Sequence, residues 1–444
     1  MPSFEVPCVH QEDVFDPKIH LDYSPAERTF TLAEWGIQEH EYTTPIAGCT
    51  PFRLLSLEGV MAYRRAILRK DVFDQCAGHP FPGTVTLRNL AKVSKFVNDF
   101  WTHPDTLSII SDALGIKVVA VMPTEIGHTN IQVSRSGDVL SQLKIQPSQE
   151  ARPLTKEEES YDPLSGSSVI PWHRDSYPFV CVLMLSDTTH MKGGETYVSA
   201  RDIQAASIII RGPGLGTAVV LQGGQVKHLA ARAFGSAERI TTITSFRAAE
   251  LGRFDDSRLA NLRAYDNLPE LYSQWSLYRL KKMRDEIDAA VRKIESLDKS
   301  GITFVHQETE ALCEELSKYS QRTARQMVDP EIRDGLARKY GAKGIAEASK
   351  YWQLIRAMPQ ASSKIAEATR YAEDSMPRMK GYTFDWCQTR ARIQRGSIER
   401  GTQGLIVWDD KADYLLGDEL EAQGLNEILL WWLEETGLMA AIGA

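Results

Sequence analysis

The 444-residue sequence predicts an α+β protein with an antiparallel jelly-roll core, helices before this core and a long helical region after it. Between residues 116 and 248, short runs rich in β-branched and aromatic residues are separated by clusters of Gly, Pro, Asp and Ser. Most of these runs have no helical pattern between them, which is typical of an antiparallel sandwich or barrel. On either side, apolar residues recur three and four positions apart, as they do in amphipathic helices.

Four regions are expected along the chain. Residues 1–50 contain turn formers and no sustained period, so we interpret them as an irregular N-terminal arm. Residues 51–115 are predicted to be a helical support, residues 116–248 the jelly-roll catalytic core, and residues 249–444 a helical lid or dimer interface. The strands of the core are predicted at Ile116–Met122, Asn130–Ser134, Leu140–Ile145, Ser168–Trp172, Phe179–Leu185, Glu195–Ser199, Ala206–Ile210, Thr217–Leu221 and Arg239–Phe246.

The C-terminal region is predicted to end in a very apolar helix at Leu425–Leu438. A helix of this composition is not stable in water on its own. We therefore expect it to pack inside the protein or against a second subunit, which would make a homodimer.

The composition narrows the class of protein. A formal net charge of -8 argues against non-specific binding to nucleic acid, which needs an excess of Lys and Arg. The sequence has no apolar run of about 18 residues, and its N-terminus does not resemble a secretory signal, so a cytoplasmic location is expected. The six cysteines include no close pair, so they indicate neither a zinc site nor a disulfide framework.

Two histidines and an aspartate form the candidate metal site. His173 and Asp175 lie two residues apart at the end of a predicted strand, so their side chains share one face and can reach one ion. His228 follows the predicted strand Thr217–Leu221 and a glycine turn. Two imidazoles and one carboxylate leave positions open for a chelating co-substrate and O₂, as non-haem Fe(II) oxygenases require.

A candidate anion site follows the second histidine. Arg239 begins a predicted strand, and Thr241 lies on the same strand face. A guanidinium and a hydroxyl placed together can bind a carboxylate, with the guanidinium binding in bidentate fashion. Arg247 has the same strand parity and is the alternative to Arg239.

With these motifs the sequence resembles the Fe(II)/2-oxoglutarate-dependent oxygenases, a double-stranded β-helix family. The resemblance covers about residues 116 to 247. Two flanking segments, Glu125–Gln132 and Trp172–Asp187, are similar to fungal members that include amino-acid-tailoring, aziridine-forming oxygenases. The other motifs that carry it are His173-Arg174-Asp175, Gly193-Gly194-Glu195-Thr196, the segment Gly216–Gly224, His228 and Arg239-Ile240-Thr241.

The resemblance implies an activity and a set of site residues. The activity would be Fe(II)-, O₂- and 2-oxoglutarate-dependent oxidation of an unactivated C–H bond in a small molecule, with release of succinate and CO₂. An amino acid or a secondary-metabolite intermediate is the favoured substrate, and hydroxylation, desaturation or ring closure to an aziridine are the outcomes considered. The implied residues are His173, Asp175 and His228 for iron, Arg239, Thr241 and Asn130 for 2-oxoglutarate, and Gln132, Tyr177 and Phe179 for substrate.

The same residues are open to other interpretations. His173-Arg174-Asp175 is also the kinase catalytic-loop tripeptide, but Val180 occupies the position where a kinase needs its metal-binding Asn. Packing in the core is the alternative role for Tyr177 and Phe179. A catalytically inactive jelly-roll binding module is the alternative for the whole chain, and a zinc hydrolase is disfavoured because Arg239 would have no role.

Overall fold

The computed structural model describes residues 12–327 with short gaps, together with a strand pair at 383–386 and 391–394. The chain divides into two compact units, Met1–Arg258 with Ser273–Phe304 and Leu259–Tyr272 with Val305–Ala444. All the predicted site residues belong to the first unit. The gaps are residues 38, 40–43, 79–83, 135–136, 166–169, 200–207, 211, 213, 254, 260–261, 263–265 and 301–305.

The described residues form strands and helices with the following bounds. The strands are β1 (Leu21–Ser24), β2 (Thr29–Thr31), β3 (Ile46–Cys49), β4 (Phe52–Leu55), β5 (Ala77–Gly78), β6 (Thr84–Leu87), β7 (Val118–Ala120), β8 (His128–Val133), β9 (Ile170–His173), β10 (Phe179–Met184), β11 (Lys192–Gly193), β12 (Thr196–Val198), β13 (Ile208–Ile210), β14 (Thr217–Leu221), β15 (His228–Ala230), β16 (Ala233–Phe234), β17 (Glu238–Ala248), β18 (Thr383–Trp386) and β19 (Ala391–Gln394). The helices are α1 (Pro17–His20), α2 (Leu57–Ile67), α3 (Lys70–Cys76), α4 (Leu90–Val93), α5 (Lys95–Thr102), α6 (Pro104–Leu114), α7 (Val139–Gln142), α8 (Lys156–Glu159), α9 (Leu268–Lys299) and α10 (His306–Arg325).

Two antiparallel sheets make up the jelly roll. The main sheet has the order β1-β4-β14-β10-β17-β8-β6-β5, and the second sheet has the order β13-β12-β15-β9. From β8 onward the chain alternates between the two sheets. Strands β8, β10, β14 and β17 belong to the main sheet, and β9, β12, β13 and β15, which lie between them in sequence, belong to the second sheet. This alternation between two facing sheets is the jelly-roll connection, so the predicted fold class is confirmed.

Two apolar clusters cover the two faces of the main sheet. On β10, Cys181 and Leu183 join a core shared with residues of α2, α5 and α6. Val180 points the other way and packs with Val198 and Ile210 of the second sheet. The side-chain alternation of a strand therefore divides β10 between an outer core against helices and an inner core between the sheets.

The N-terminal part contains strands that its sequence does not predict. The predicted arm contributes β1, β2 and β3, of which β3 pairs with β14, with Gly48 opposite Leu221. Residues Phe52–Leu55 form a strand instead of a helix, and α2 begins only after Ser56, whose hydroxyl accepts a hydrogen bond from the Gly59 amide. The apolar residues of this segment are compatible with either a strand or a helix, and pairing with β14 stabilises the strand.

The predicted strand Leu140–Ile145 is wrong. Residues Val139–Gln142 form the short helix α7, because the Asp138 carboxylate caps it by accepting a hydrogen bond from the Ser141 amide at 2.9 Å. The predicted helix Leu425–Leu438 lies outside the described residues.

The region after the jelly roll contains the helices α9 and α10, as predicted. Within the first unit, α9 is attached by a buried ion pair between Arg279 and Asp255, in which the nearest N–O distance is 3.1 Å. The Tyr278 hydroxyl donates to the same carboxylate. No helix among the described residues is long and apolar enough to cross a membrane.

A second buried ion pair fixes the start of β17. The Arg64 guanidinium of α2 lies 2.7 Å from the Glu238 carboxylate, and both side chains are almost completely buried. Arg64 also donates to the main-chain oxygen of Leu185, while the Ser186 hydroxyl accepts from the Ile240 amide. These contacts hold the end of β10 and the start of β17 together beside Arg239.

We predict that Arg64→Ala lowers the free energy of unfolding by about 3–5 kcal/mol, because it leaves the Glu238 charge buried without a partner. Urea unfolding monitored by circular dichroism measures the loss. Arg53→Ala is the control, since it removes an exposed ion pair with Asp22 and should cost no more than about 1 kcal/mol. Equal losses in the two variants would contradict the prediction.

Candidate metal centre

His173, Asp175 and His228 meet at one end of the second sheet. His173 ends β9 and lies directly opposite His228, the first residue of β15. Their imidazole centroids are 4.3 Å apart. The Asp175 carboxylate lies 3.4 Å from Nε2 of His173 and 3.7 Å from Nε2 of His228. One donor atom from each residue lies within 4.8 Å of the other two, a spacing that allows all three to bind one ion.

The turn before β15 holds Asp175 in place. The Asp175 amide donates to the Gly223 carbonyl at 2.9 Å, and the Arg174 Nε donates to the Gln225 carbonyl at 3.1 Å. A Cβ atom on Gly223 would lie 1.8 Å from the Asp175 carboxylate. Glycine is therefore required at 223 for the carboxylate to occupy its position.

The turn also selects the metal-binding nitrogen of His228. Its Nδ1 lies 2.9 Å from the Val226 carbonyl, which can only accept, so Nδ1 carries the proton. The lone pair is then on Nε2, the nitrogen that faces Asp175. A hydrogen bond of this kind orients a histidine ligand and makes it more basic toward a metal.

The electrostatics of the three residues suit a divalent cation. Burial lowers the pKa of His228 to about 4, so this imidazole is neutral at physiological pH. Burial alone would raise the pKa of Asp175, but His228, His173 and Arg258 together lower it. A neutral imidazole and an ionised carboxylate are the forms that bind metal. Two nitrogen donors and one carboxylate oxygen fit Fe(II) with coordination positions to spare.

Arg239 lies on the inner face of the main sheet without a carboxylate partner. Its Nη1 is 3.5 Å from the Thr241 hydroxyl and its Nη2 is 3.5 Å from the Gly194 carbonyl, both at the outer limit of a hydrogen bond. Its buried Nε has no partner, and among the described residues no carboxylate lies within ion-pair distance. Burial lowers its pKa to about 10, against the opposing effect of Glu195, so it remains charged near neutral pH.

Arg247 has a different environment at the other end of β17, about 27 Å along the strand. Its Nη1 donates to the Ala248 carbonyl at 2.7 Å, and its guanidinium lies over the Tyr278 ring at 5.7 Å. Its charge also helps to lower the pKa of Asp255. The buried Nε of each arginine lacks a hydrogen-bond partner. Arg247, however, makes a short hydrogen bond and a ring contact near α9, whereas both contacts of the Arg239 guanidinium are long. This difference favours Arg239 as the anion site.

The polar residues predicted on β8 share the face of Arg239. Arg239 pairs with Gln132 and Thr241 pairs with Asn130, and residues directly opposite in an antiparallel pair point to the same side. The Asn130 side-chain oxygen accepts from the Thr86 hydroxyl at 3.1 Å. These positions are compatible with the predicted roles of Asn130, Thr241 and Gln132, which stay predictions.

His128, which is not among the predicted site residues, lies on the same face of β8. Its Nε2 is 3.3 Å from the Asn130 side-chain oxygen. Its pKa is well below the ordinary value, because of burial and the nearby Arg88 charge, while Asp175 acts in the opposite direction. The alternation of His128, Asn130 and Gln132 along one strand is the signal that could have identified it.

The two predicted aromatic contacts differ in position. Phe179 is opposite Phe246 and belongs to the outer core against the helices, so its predicted role in substrate binding is wrong. It points away from the inner face because strand side chains alternate and Val180 takes the inner position. Tyr177 is buried two residues after Asp175, and its role in substrate binding stays a prediction.

Comparison with known proteins gives matches among solved structures alone. No protein-family model matches the chain, and no curated protein matches it. A 2OG-Fe(II) oxygenase family oxidoreductase from Burkholderia pseudomallei has 12% identity and a TM-score of 0.26, over 43% of this chain and 90% of its own. A Pseudomonas putida prolyl-4-hydroxylase has 16% identity and a TM-score of 0.26, over 44% and 89%.

A further similar structure is HygX from Streptomyces hygroscopicus with nickel, 2-oxoglutarate and hygromycin B bound. It has 16% identity and a TM-score of 0.27, over 46% of this chain and 85% of its own. These structures include members of the family that the sequence motifs resemble. Likenesses this low carry no weight for activity, so the function is inferred from the site residues themselves.

We predict that Gly223→Ala weakens metal binding about 10–100-fold, because the added methyl group displaces the Asp175 carboxylate. Calorimetric titration with Mn(II) under anaerobic conditions measures the affinity. Gly214→Ala is the matched control, since its nearest neighbours lie 3.8 Å from the added Cβ. An unchanged affinity in Gly223→Ala with an intact fold would show that Asp175 is not a ligand.

Proposed function

We propose that this protein is an Fe(II)- and 2-oxoglutarate-dependent dioxygenase that oxidises an unactivated C–H bond of a small molecule. The observation that carries the proposal is the cluster of His173, Asp175 and His228 at one end of the second sheet, together with Arg239 on the facing sheet, whose buried Nε has no partner. The first group supplies ligands for a ferrous ion. The second supplies a positive charge for a carboxylate.

The three ligands would bind the metal through one face. His173 and His228 present nitrogen donors from neighbouring strands, and Asp175 supplies the negative charge. When bound, Fe(II) with 2-oxoglutarate activates O₂, and the co-substrate leaves as succinate and CO₂. The other positions of the ion remain free for these molecules because the chain supplies three ligands.

Arg239 would anchor the distal carboxylate of 2-oxoglutarate. Its Nε has no partner and its Nη contacts are long, so a carboxylate can replace them with shorter, charge-assisted hydrogen bonds. Thr241 lies beside it and offers a hydroxyl donor. Binding at this point would orient the opposite end of the diacid toward the metal ligands.

The inner face of the sheet divides into a polar part and an apolar part. His128, Asn130 and Gln132 of β8 form the polar part, while Val180 and Val182 of β10 belong to the inner apolar core. A substrate placed against these residues would be shielded from water during the oxidation. We propose an amino acid or a secondary-metabolite intermediate as substrate, with hydroxylation, desaturation or ring closure as the outcome, and an oxygen-dependent screen for succinate release tests this.

We expect the wild-type protein to develop a visible charge-transfer absorption when Fe(II) and 2-oxoglutarate are added without oxygen. Asp175→Ala should lose this absorption and succinate release, because it removes the only predicted anionic ligand. Arg53→Ala serves as the control and should behave as wild type, since Arg53 lies in an exposed ion pair. An inactive binding module would show no absorption in any variant.

Arg239→Ala should raise the concentration of 2-oxoglutarate needed for half-maximal succinate release roughly 100-fold or more, because a buried carboxylate loses its counter-charge. The affinity for Mn(II) measured without 2-oxoglutarate should change little. Arg247→Ala is the informative comparison. A larger effect on 2-oxoglutarate from Arg247→Ala than from Arg239→Ala would reverse the assignment.

A further inference from the structure

An apolar stripe lies exposed along the first-unit part of α9. Leu277, Leu280, Ile287, Val291 and Ile294 form this stripe, and their exposed fractions range from 37% to 58%. The opposite side of the same helix is buried through Trp275, Arg279 and Lys282. Scattered exposed apolar residues are ordinary, but five aligned on one helix face mark a contact surface.

The spacing of the stripe is that of a coiled-coil seam. Successive positions are separated by three or four residues once Arg284 is counted between Leu280 and Ile287. This is the alternation of a and d positions in a heptad repeat. The seam extends over about 25 Å of helix.

We propose that the α9 stripe packs against the α9 stripe of a second copy of this chain, antiparallel and about a two-fold axis. In one register, Leu277 faces Ile294, Leu280 faces Val291 and Arg284 faces Ile287 of the second copy. Symmetry repeats each pair. A seam that is complementary to itself in this way is what a two-fold interface requires.

Charges favour the antiparallel arrangement over the parallel one. A parallel pair would place Arg284 against Arg284 in the same layer of the seam, whereas the antiparallel pair places it against Ile287. The same antiparallel register brings Lys281 beside Asp288 of the second copy, twice by symmetry. Lys281 and Asp288 are both exposed and have no ion pair with another described residue.

The interface is short, so the dimer should dissociate at accessible concentrations. Two helices in contact over about 25 Å bury an area at the low end for specific association. We therefore expect a dissociation constant on the order of micromolar. The proposal is independent of the metal site, and metal binding is expected in monomer and dimer alike.

Sedimentation velocity of the full chain from about 1 to 100 µM tests the proposal. Dimer should form with rising concentration, and Leu280→Asp should raise the dissociation constant at least tenfold. Leu251→Asp is the control, because Leu251 is 48% exposed but lies off the helix. Circular dichroism checks that each variant is folded.

A charge exchange tests the register. Lys281→Glu and Asp288→Lys should each raise the dissociation constant about 3- to 10-fold, and the double variant should restore it. A strictly monomeric wild type would overturn the proposal. A dimer unaffected by Leu280→Asp would place the interface elsewhere, and failure of the double variant to recover would exclude this antiparallel register.

Discussion

The pairing of β9 with β15 is the constraint on which the site depends. It places His173 opposite His228, and the turn that leads into β15 then supplies the Gly223 carbonyl that binds the Asp175 amide. Three ligands from two distant parts of the sequence thus converge through main-chain hydrogen bonds. Because a shift of one residue would turn a side chain to the opposite face, strand register determines whether a metal site exists at all.

The facing sheet supplies the complement to the metal ligands. Its inner side carries a charged and polar group around Arg239 and an apolar area around Val180. The buried pair of Arg64 and Glu238 holds the beginning of β17 from the other side of that sheet. Helix α2, which precedes the jelly roll, therefore contributes to the position of Arg239 through Arg64.

The metal ligands could be predicted from sequence because HxD at a strand end and a later histidine depend on local periodicity and chain order. The face to which Phe179 points could not be predicted, because β10 is buried on both faces and its apolar residues give no indication of which side is inner. The strands of residues 21–49 also escaped prediction, since β1 and β3 form by pairing with β4 and β14, and β2 then pairs with β3. His128 lacked a sequence signal apart from its alternation with Asn130.

The central claim is that one ion and one diacid bind this site together, the ion on His173, Asp175 and His228 and the diacid on Arg239. A crystal structure of the protein with Mn(II) and 2-oxoglutarate, grown without oxygen, tests it most directly. The account predicts the ion bound to His173, Asp175 and His228, with the distal carboxylate of 2-oxoglutarate on Arg239. An ion bound elsewhere, or a carboxylate on Arg247, would contradict it.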